Sequence, residues 1–438
     1  MRMSSILGIA LVSLSLGCSK QPPREPVTLT FLDIEWESPD QLSGLAQDLQ
    51  EFTRETGIQV KRLPAPDSSH NQLEEWRELL QKEAGGPDVV GVDVIWPGML
   101  NQYLMDLKPY LADELSSQDP VVVANYMVGH KLVAMPRHAY IGVLLYRTDL
   151  LQRYGYRQPP KTWDELEAMA TRIQAGERAR GAQDFWGFVW QGGAGEGLTC
   201  AGLEWQASQS GGKIIEDNRS ISVNNPETIR AWQQAKRWVG SISPPGVTAY
   251  AKWDAENVWA SGRAAFFRGW VSDYSLISTH VPPSHTTRFG VTSLPGGKGG
   301  RIGALGGNGL GVSQNSAHPH EAIELIRFLL RRDLQLIRAT EHSSPPPEIE
   351  LKELPFILGL YPQLKLRENG GGVVARPSIV AGQKYEDVSA AYFRALHSAL
   401  TGEKEPSVAV AALQKELIEL TGFPAGPPSP KRRINPQE

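Results

Sequence analysis

A carboxylate and an indole stand three residues apart at the end of an apolar run, Val89-Val-Gly-Val-Asp-Val-Ile-Trp96. Val89 to Val94 has the β-branched pattern of a strand buried on both faces of a parallel sheet. Trp96-Pro97-Gly98 then turns the chain into a helical segment. Asp93 and Trp96 therefore fall at the carboxyl end of a strand, the edge at which open α/β sheets bind ligands. Such a pair suits a neutral polyol, because the carboxylate accepts from hydroxyl groups while the ring covers an apolar C–H face. The same residues admit a second reading, in which Asp93 caps the following segment and Trp96 fills the core.

Other candidate chemistry is thinner. Gly192 to Gly197 and Gly306 to Gly311 superficially resemble phosphate loops. Neither ends in Gly-Lys-Ser/Thr, and neither matches G-x-G-x-x-G in register. The chain has no G-x-S-x-G nucleophile elbow and no H-E-x-x-H helix. His318 and His320 flank Pro319 at a helix start and fit surface capping better than metal binding. Glu35 and Glu37 have the residue type for glycosidic cleavage, but carboxylates that only bind sugar hydroxyls look the same in sequence. No catalytic residue, cofactor or metal site is expected. Twelve tryptophans in a chain with Gly-rich and acidic loops lean toward carbohydrate stacking, although each indole singly also suits a core.

The elements that must position these residues follow an α/β order. Val27–Leu32 reads as a first strand, with Glu35 and Glu37 in the loop beyond it. Ser38-Pro39-Asp40-Gln41 opens a helix whose apolar stripe is Leu42, Leu45, Leu49 and Phe52, stopped by Gly57. A strand at 58–63, a helix at 73–83 and the Asp93 strand complete a doubly wound pattern. A second unit has strands at 141–146, 185–190, 264–270 and 289–294. Its helices include one opened by the capping box Thr162-Trp-Asp-Glu165, one over 198–208 and one capped by Asn225-Pro226. Helices at 322–331, 385–400 and 406–420 follow, and the Pro-rich, basic tail from Pro424 is expected to be disordered. This order predicts two α/β lobes with the chain crossing between them more than once.

With 438 residues the chain exceeds one comfortable core. A formal charge of −4, with no basic run before the tail, excludes nucleic acid and anionic membrane surfaces as partners. Ile6–Leu16 is too short to span a bilayer and has the length of a signal-peptide core. Leu14-Ser-Leu-Gly-Cys18 resembles a bacterial lipobox, with Ser15 where Leu is usual, and a plain secretory signal is the alternative. On the lipobox reading residues 1–17 are removed, Cys18 is lipidated and 18–26 form a tether. The mature chain then sits in the cell envelope, in the periplasm or on the outer surface, with membrane contact through the lipid alone. Cys200 is left without a disulfide partner, and no thiolate metal site can be built.

Across 27–420 the chain resembles family 1 extracellular solute-binding proteins of ABC sugar importers, most closely the trehalose/maltose-binding branch. The residues that carry the resemblance include Phe52–Val60, Pro87–Gly98, Asp106-Leu-Lys-Pro-Tyr-Leu111, Leu145–Leu150 and Pro160–Leu166. Gly195–Cys200, Leu203-Glu-Trp205, Ala375-Arg-Pro-Ser378 and Leu400-Thr-Gly-Glu403 extend it. The resemblance implies a maltose-binding-protein-like fold, that is, a two-lobe periplasmic-binding-protein fold with a hinge. Its lobes would be 27–137 with 292–340, and 138–291 with 341–423. It also implies a di- or oligosaccharide-like carbohydrate ligand in the cleft, ABC importer permease subunits as partners, and a monomer.

Carried over by matching position, the ligand contacts would be Asp93 as hydroxyl acceptor, Trp270 as stacking platform and Arg376 as donor. Glu35 or Glu37 would supply an acidic contact, and Gly306-Gly307 would bring backbone near the ligand. Trp96 and Glu196 lie in the matching motifs. The departures fall in the same places. His138-Ala139-Tyr140 replaces the usual Phe/Tyr-Thr-Asp/Asn, Gly195 replaces an aromatic, Trp270-Val-Ser272 replaces Trp-Pro-Tyr, and Asn308 replaces a Trp after Gly-Gly, with His138, Tyr140 and Asn308 offering different ligand contacts in their place. An unpaired buried polar group costs roughly 1–3 kcal/mol, so these exchanges should change the ligand, and neither trehalose nor maltose is carried over. A glycosylated or phosphorylated solute, met by Arg137, His138 and Arg376, is one alternative, and a secreted glycoside-acting enzyme is another.

Overall fold

The computed structural model describes residues 27–34, 39–63, 69–83, 85–273, 289–342, 344–361, 364 and 372–429. Cys18, the leader, the tether, Glu35 and Glu37 lie outside the described residues. The strands are β1 (Thr28–Leu32), β2 (Gln59–Leu63), β3 (Val89–Asp93), β4 (Met127–Val128), β5 (Lys131–Leu132) and β6 (Met135–Arg147). They continue with β7 (Trp186–Val189), β8 (Ala264–Trp270), β9 (Phe289–Ser293), β10 (Gly296–Gly297), β11 (Gly300–Val312) and β12 (Gly372–Val374).

Hydrogen bonding joins β2-β1-β3-β11-β6-β8-β7 in one path. β1 pairs in parallel with β2 and β3, as strands linked by helices must. All five residues of β3 are buried, which is why its sequence is an unbroken apolar run up to Asp93. β11 runs antiparallel between β3 and β6, and β6 continues antiparallel to β8. β6 and β11 are 13 residues long, against five for β1, β2 and β3, and they belong to both lobes.

Packing locates the crossings. The first core gathers side chains from Leu29 to Ala139, then Leu305 to Leu334, with Tyr385. The other lobe has a core on each face of its sheet. Leu144 points into one, with Leu294 and the Leu396–Leu417 helices. Val143 and Leu145 point into the other, with Trp259 and Tyr361. Alternation along the strand produces this split. The chain thus leaves the first core within β6, between Ala139 and Val143. It returns within β11, later than the expected 292, since Leu294 packs in the second lobe and Leu305 in the first.

Local signals are realised where side chains make them. Thr162 Oγ1 accepts from Glu165 N at 3.1 Å, and the Glu165 carboxylate accepts from Lys161 N at 2.6 Å. Asn225 Oδ1 accepts from Thr228 N at 2.9 Å. Gly57 ends the Pro39–Thr56 helix at φ +77°, a conformation costly for any residue with a Cβ. The tail expected to be disordered from Pro424 is held over its first residues: Ile221 N donates to Pro424 O and Gly426 N to Ile221 O. Among the described residues no helix is long and apolar enough to cross a membrane.

Candidate ligand-binding site

The register of three strands sets out the site. Asn308 in β11 stands opposite Asp93 in β3 and opposite His138 in β6, with Gly307 beside Ala139 and Gly306 beside Tyr140. The ladder is irregular between Asn308 and Gly309. Gly307 adopts φ +121°, and a Cβ there would collide with the carbonyl of His138. Only glycine fits this crossing. Val94 N donates to the Gly307 carbonyl at 3.1 Å and fixes β11 to the end of β3.

Asp93 is 5% exposed, and its Oδ1 accepts from Ile95 N at 3.0 Å. Burial pushes its pKa up to about 6, against the pull of Arg376 and the Ile95 N–H, while Glu196 adds to the rise. Tyr126 lies close enough for the Asp93 charge to be felt; burial pushes its phenol well above the usual range. The Tyr126 hydroxyl and Asn308 Oδ1 are buried with no hydrogen-bond partner among the described residues. One carboxylate, one phenol and one amide thus converge at the end of β3, an arrangement able to exchange hydrogen bonds with sugar hydroxyls.

Arg376 approaches from the second lobe. It donates through Nη1 to Glu196 at 2.7 Å and through Nη2 to the Leu305 carbonyl at 3.0 Å, and its Nε is buried without a partner among the described residues. Glu196 opens the Glu196–Ser208 helix, where a carboxylate is favoured by the helix dipole. It accepts from Arg376, Tyr385 and Ser389 together. Tyr385 and Ser389 stand four apart on one helix, and this is the spacing that lets both reach one carboxylate. Neither they nor Tyr126 carry a sequence signal that separates them from core residues.

Trp270 closes the row from β8. Its indole is half-buried, with Arg268 on one face at 4.3 Å from the ring centroid. Its backbone N donates to Asp273 at 2.7 Å. A Cβ on Gly306 would stand 2.8 Å from its ring, so the glycine lets β11 pass beneath the indole.

The remaining expected residues divide. His138 bonds Ser344 Oγ through Nδ1 at 2.5 Å and stacks on Tyr140 at 5.9 Å and 7°. It also borders a cavity of about 370 Å³ shared by Asp48, Arg338 and His342. Trp96 is in the first core, edge-on to Trp76 at 5.6 Å, so of its two readings the structure takes the core-filling one. Tryptophan richness has the same explanation elsewhere: Trp163, Trp190, Trp205, Trp232 and Trp238 are also fully buried. Of the groups named for a charged solute, Arg137 pairs with Asp33 at 3.0 Å and Arg376 with Glu196 at 2.7 Å.

Residues 36–335 match the model of the bacterial extracellular solute-binding protein family. A probable ABC transporter-binding protein of Deinococcus radiodurans is 38% identical over 94% of this chain and 98% of its own. Maltose-bound MalE3 of T. maritima is 32% identical, with a TM-score of 0.80 over 90% of this chain and all of that one. The acarbose-binding GacH receptor of Streptomyces glaucescens, at 20% identity, shares the fold with a TM-score of 0.78, covering 91% and 99% of the two chains. The family and these relatives are binding proteins, and the chain, with its two α/β lobes and shared crossing strands, belongs to the bacterial extracellular solute-binding protein family.

Proposed function

We propose that the protein is the solute-binding component of an ABC importer and captures a neutral carbohydrate, di- or oligosaccharide-like, between its lobes. The observation that carries this reading is the set of groups around β11. A half-buried indole lies over Gly306, and Asp93, Asn308 and Tyr126 stand along the same strands with polar atoms able to pair with hydroxyls. Internal neutralisation of Arg137 and Arg376 favours an uncharged ligand. Likeness to a maltose-bound protein supports the class of ligand, while Asn308 and His138 argue for a different member of it. Affinity comes from stacking and desolvated hydroxyl pairing as the lobes close. Cys18 anchors the chain to the envelope by its lipid, and the closed lobes dock on permease subunits. With its oxygens taken by three donors of this chain, Glu196 holds Arg376 in place rather than transferring a proton.

A thermal-shift panel of neutral saccharides, polyols and sugar phosphates tests the reading. A ligand at a hundred times its dissociation constant stabilises the fold by about 2.7 kcal/mol. The expected result is a shift with neutral saccharides that Trp270→Ala cuts to about a third. A shift confined to sugar phosphates contradicts it.

A further inference from the structure

Beneath the Trp270 indole is an ion pair, Arg268 with Glu204, neither of which is among the expected ligand contacts. Arg268 donates through Nε and Nη2 to the two carboxylate oxygens of Glu204 at 2.9 and 2.6 Å. Both side chains are shut off from solvent, at 1% and 0% exposure. Such a pair has excellent fork geometry, yet hydrophobic residues of like volume are often as stable in its place. Stability alone therefore does not account for its position.

Its surroundings give it another role. Glu204 Oε1 also accepts from Ala304 N at 2.9 Å, which ties the pair to crossing strand β11. Gly142 of crossing strand β6 is the register partner of Trp270, and a Cβ there would run into the Glu204 carboxylate and the Arg268 guanidinium. The pair thus occupies the space left by a glycine in one crossing strand and bonds the backbone of the other. From that seat the guanidinium covers one face of the indole at 4.3 Å.

We infer that Arg268 and Glu204 are positioning residues, which hold the inner face of Trp270 at a fixed tilt to both crossing strands and so set how a sugar ring stacks on its outer face. This inference rests on the carbohydrate reading for its ligand, but not for the geometry. Glu204 has a second effect: by neutralising the guanidinium it keeps an unbalanced charge from lying beneath a ring that must attract weakly positive C–H groups.

The test is a double-mutant cycle on the full chain, with Arg268→Met and Trp270→Ala made singly and together. Saccharide affinity is read by calorimetry and the indole environment by near-ultraviolet circular dichroism. Arg268→Met should weaken binding about tenfold in the wild-type background and less than about twofold in the Trp270→Ala background. It should also alter the band defined by the difference between wild type and Trp270→Ala. Equal weakening in both backgrounds, or an unchanged band, overturns the inference. If Arg268→Met does not fold, Arg268→Lys, which keeps the charge but not the planar fork, carries the same comparison. If the wild-type chain binds no neutral saccharide, the carbohydrate reading fails and the dichroism band alone decides the positioning role.

Discussion

Replacing Asp93 by asparagine should stabilise the fold at neutral pH while weakening ligand binding. The carboxyl is almost wholly buried, and its pKa rises from 3.8 to about 6. In the unfolded chain it ionises near 3.8, whereas the native chain holds the proton to about pH 6. The native state therefore gains relative stability from the neutral form below pH 3.8 and loses it as pH rises to 6. A shift of about two pH units corresponds to about 3 kcal/mol, since each unit is 1.36 kcal/mol. Asparagine keeps an oxygen for the Ile95 N–H, at 3.0 Å in the wild type, and carries no charge to desolvate. Urea unfolding of both proteins from pH 4 to 8 measures the difference. The expected stability gain of Asp93→Asn grows from near zero at pH 4 to about 3 kcal/mol at pH 7. An asparagine variant less stable than wild type at pH 7 would refute the argument. It would mean that attraction to Arg376 outweighs burial and that the carboxylate belongs to a structural ion pair.

Three further outcomes follow from other parts of the molecule. Saccharide affinity should fall about tenfold per pH unit below pH 6, as Asp93 takes up its proton and stops accepting from a hydroxyl; calorimetry from pH 5 to 8 reads this, and a flat profile removes Asp93 from the contact. Gly307→Ala should cost about 3 kcal/mol or more, because φ +121° and the His138 carbonyl both exclude a Cβ; its melting temperature, set against a harmless Gly195→Ala control, checks the bulge. Thr162→Ala should lower stability by about 1 kcal/mol through the lost cap to Glu165, with ligand affinity unchanged.

What the sequence made legible was governed by local physics. Asp93 stands where an apolar β-branched run ends, and Thr162, Asn225 and Gly57 mark helix ends by side-chain or backbone chemistry of their own. Those signals need no tertiary partner. The crossing strands were harder. Patterning marks 141–146 but not the first half of β6, and no strand over 300–312, since Gly-Ala-Leu-Gly-Gly-Asn-Gly-Leu-Gly lacks the side chains that make a strand recognisable. Three glycines of this region each answer to a partner far along the chain: Gly306 to Trp270, Gly307 to His138, Gly142 to Glu204 and Arg268. No local pattern encodes such a requirement. The indole at 96 was ambiguous for a similar reason, because a core ring and a stacking ring differ only in what the rest of the chain places beside them. Trp76 decides it.

The most direct measurement is isothermal titration of neutral di- and oligosaccharides into the wild-type protein, Trp270→Ala and Asp93→Asn at pH 7.5. The account predicts that the wild type binds at least one of them. Trp270→Ala should weaken that binding by about 2 kcal/mol, roughly thirtyfold, and Asp93→Asn should weaken it without loss of fold. A folded wild-type chain that binds no neutral saccharide, or one whose binding survives both substitutions unchanged, would contradict it.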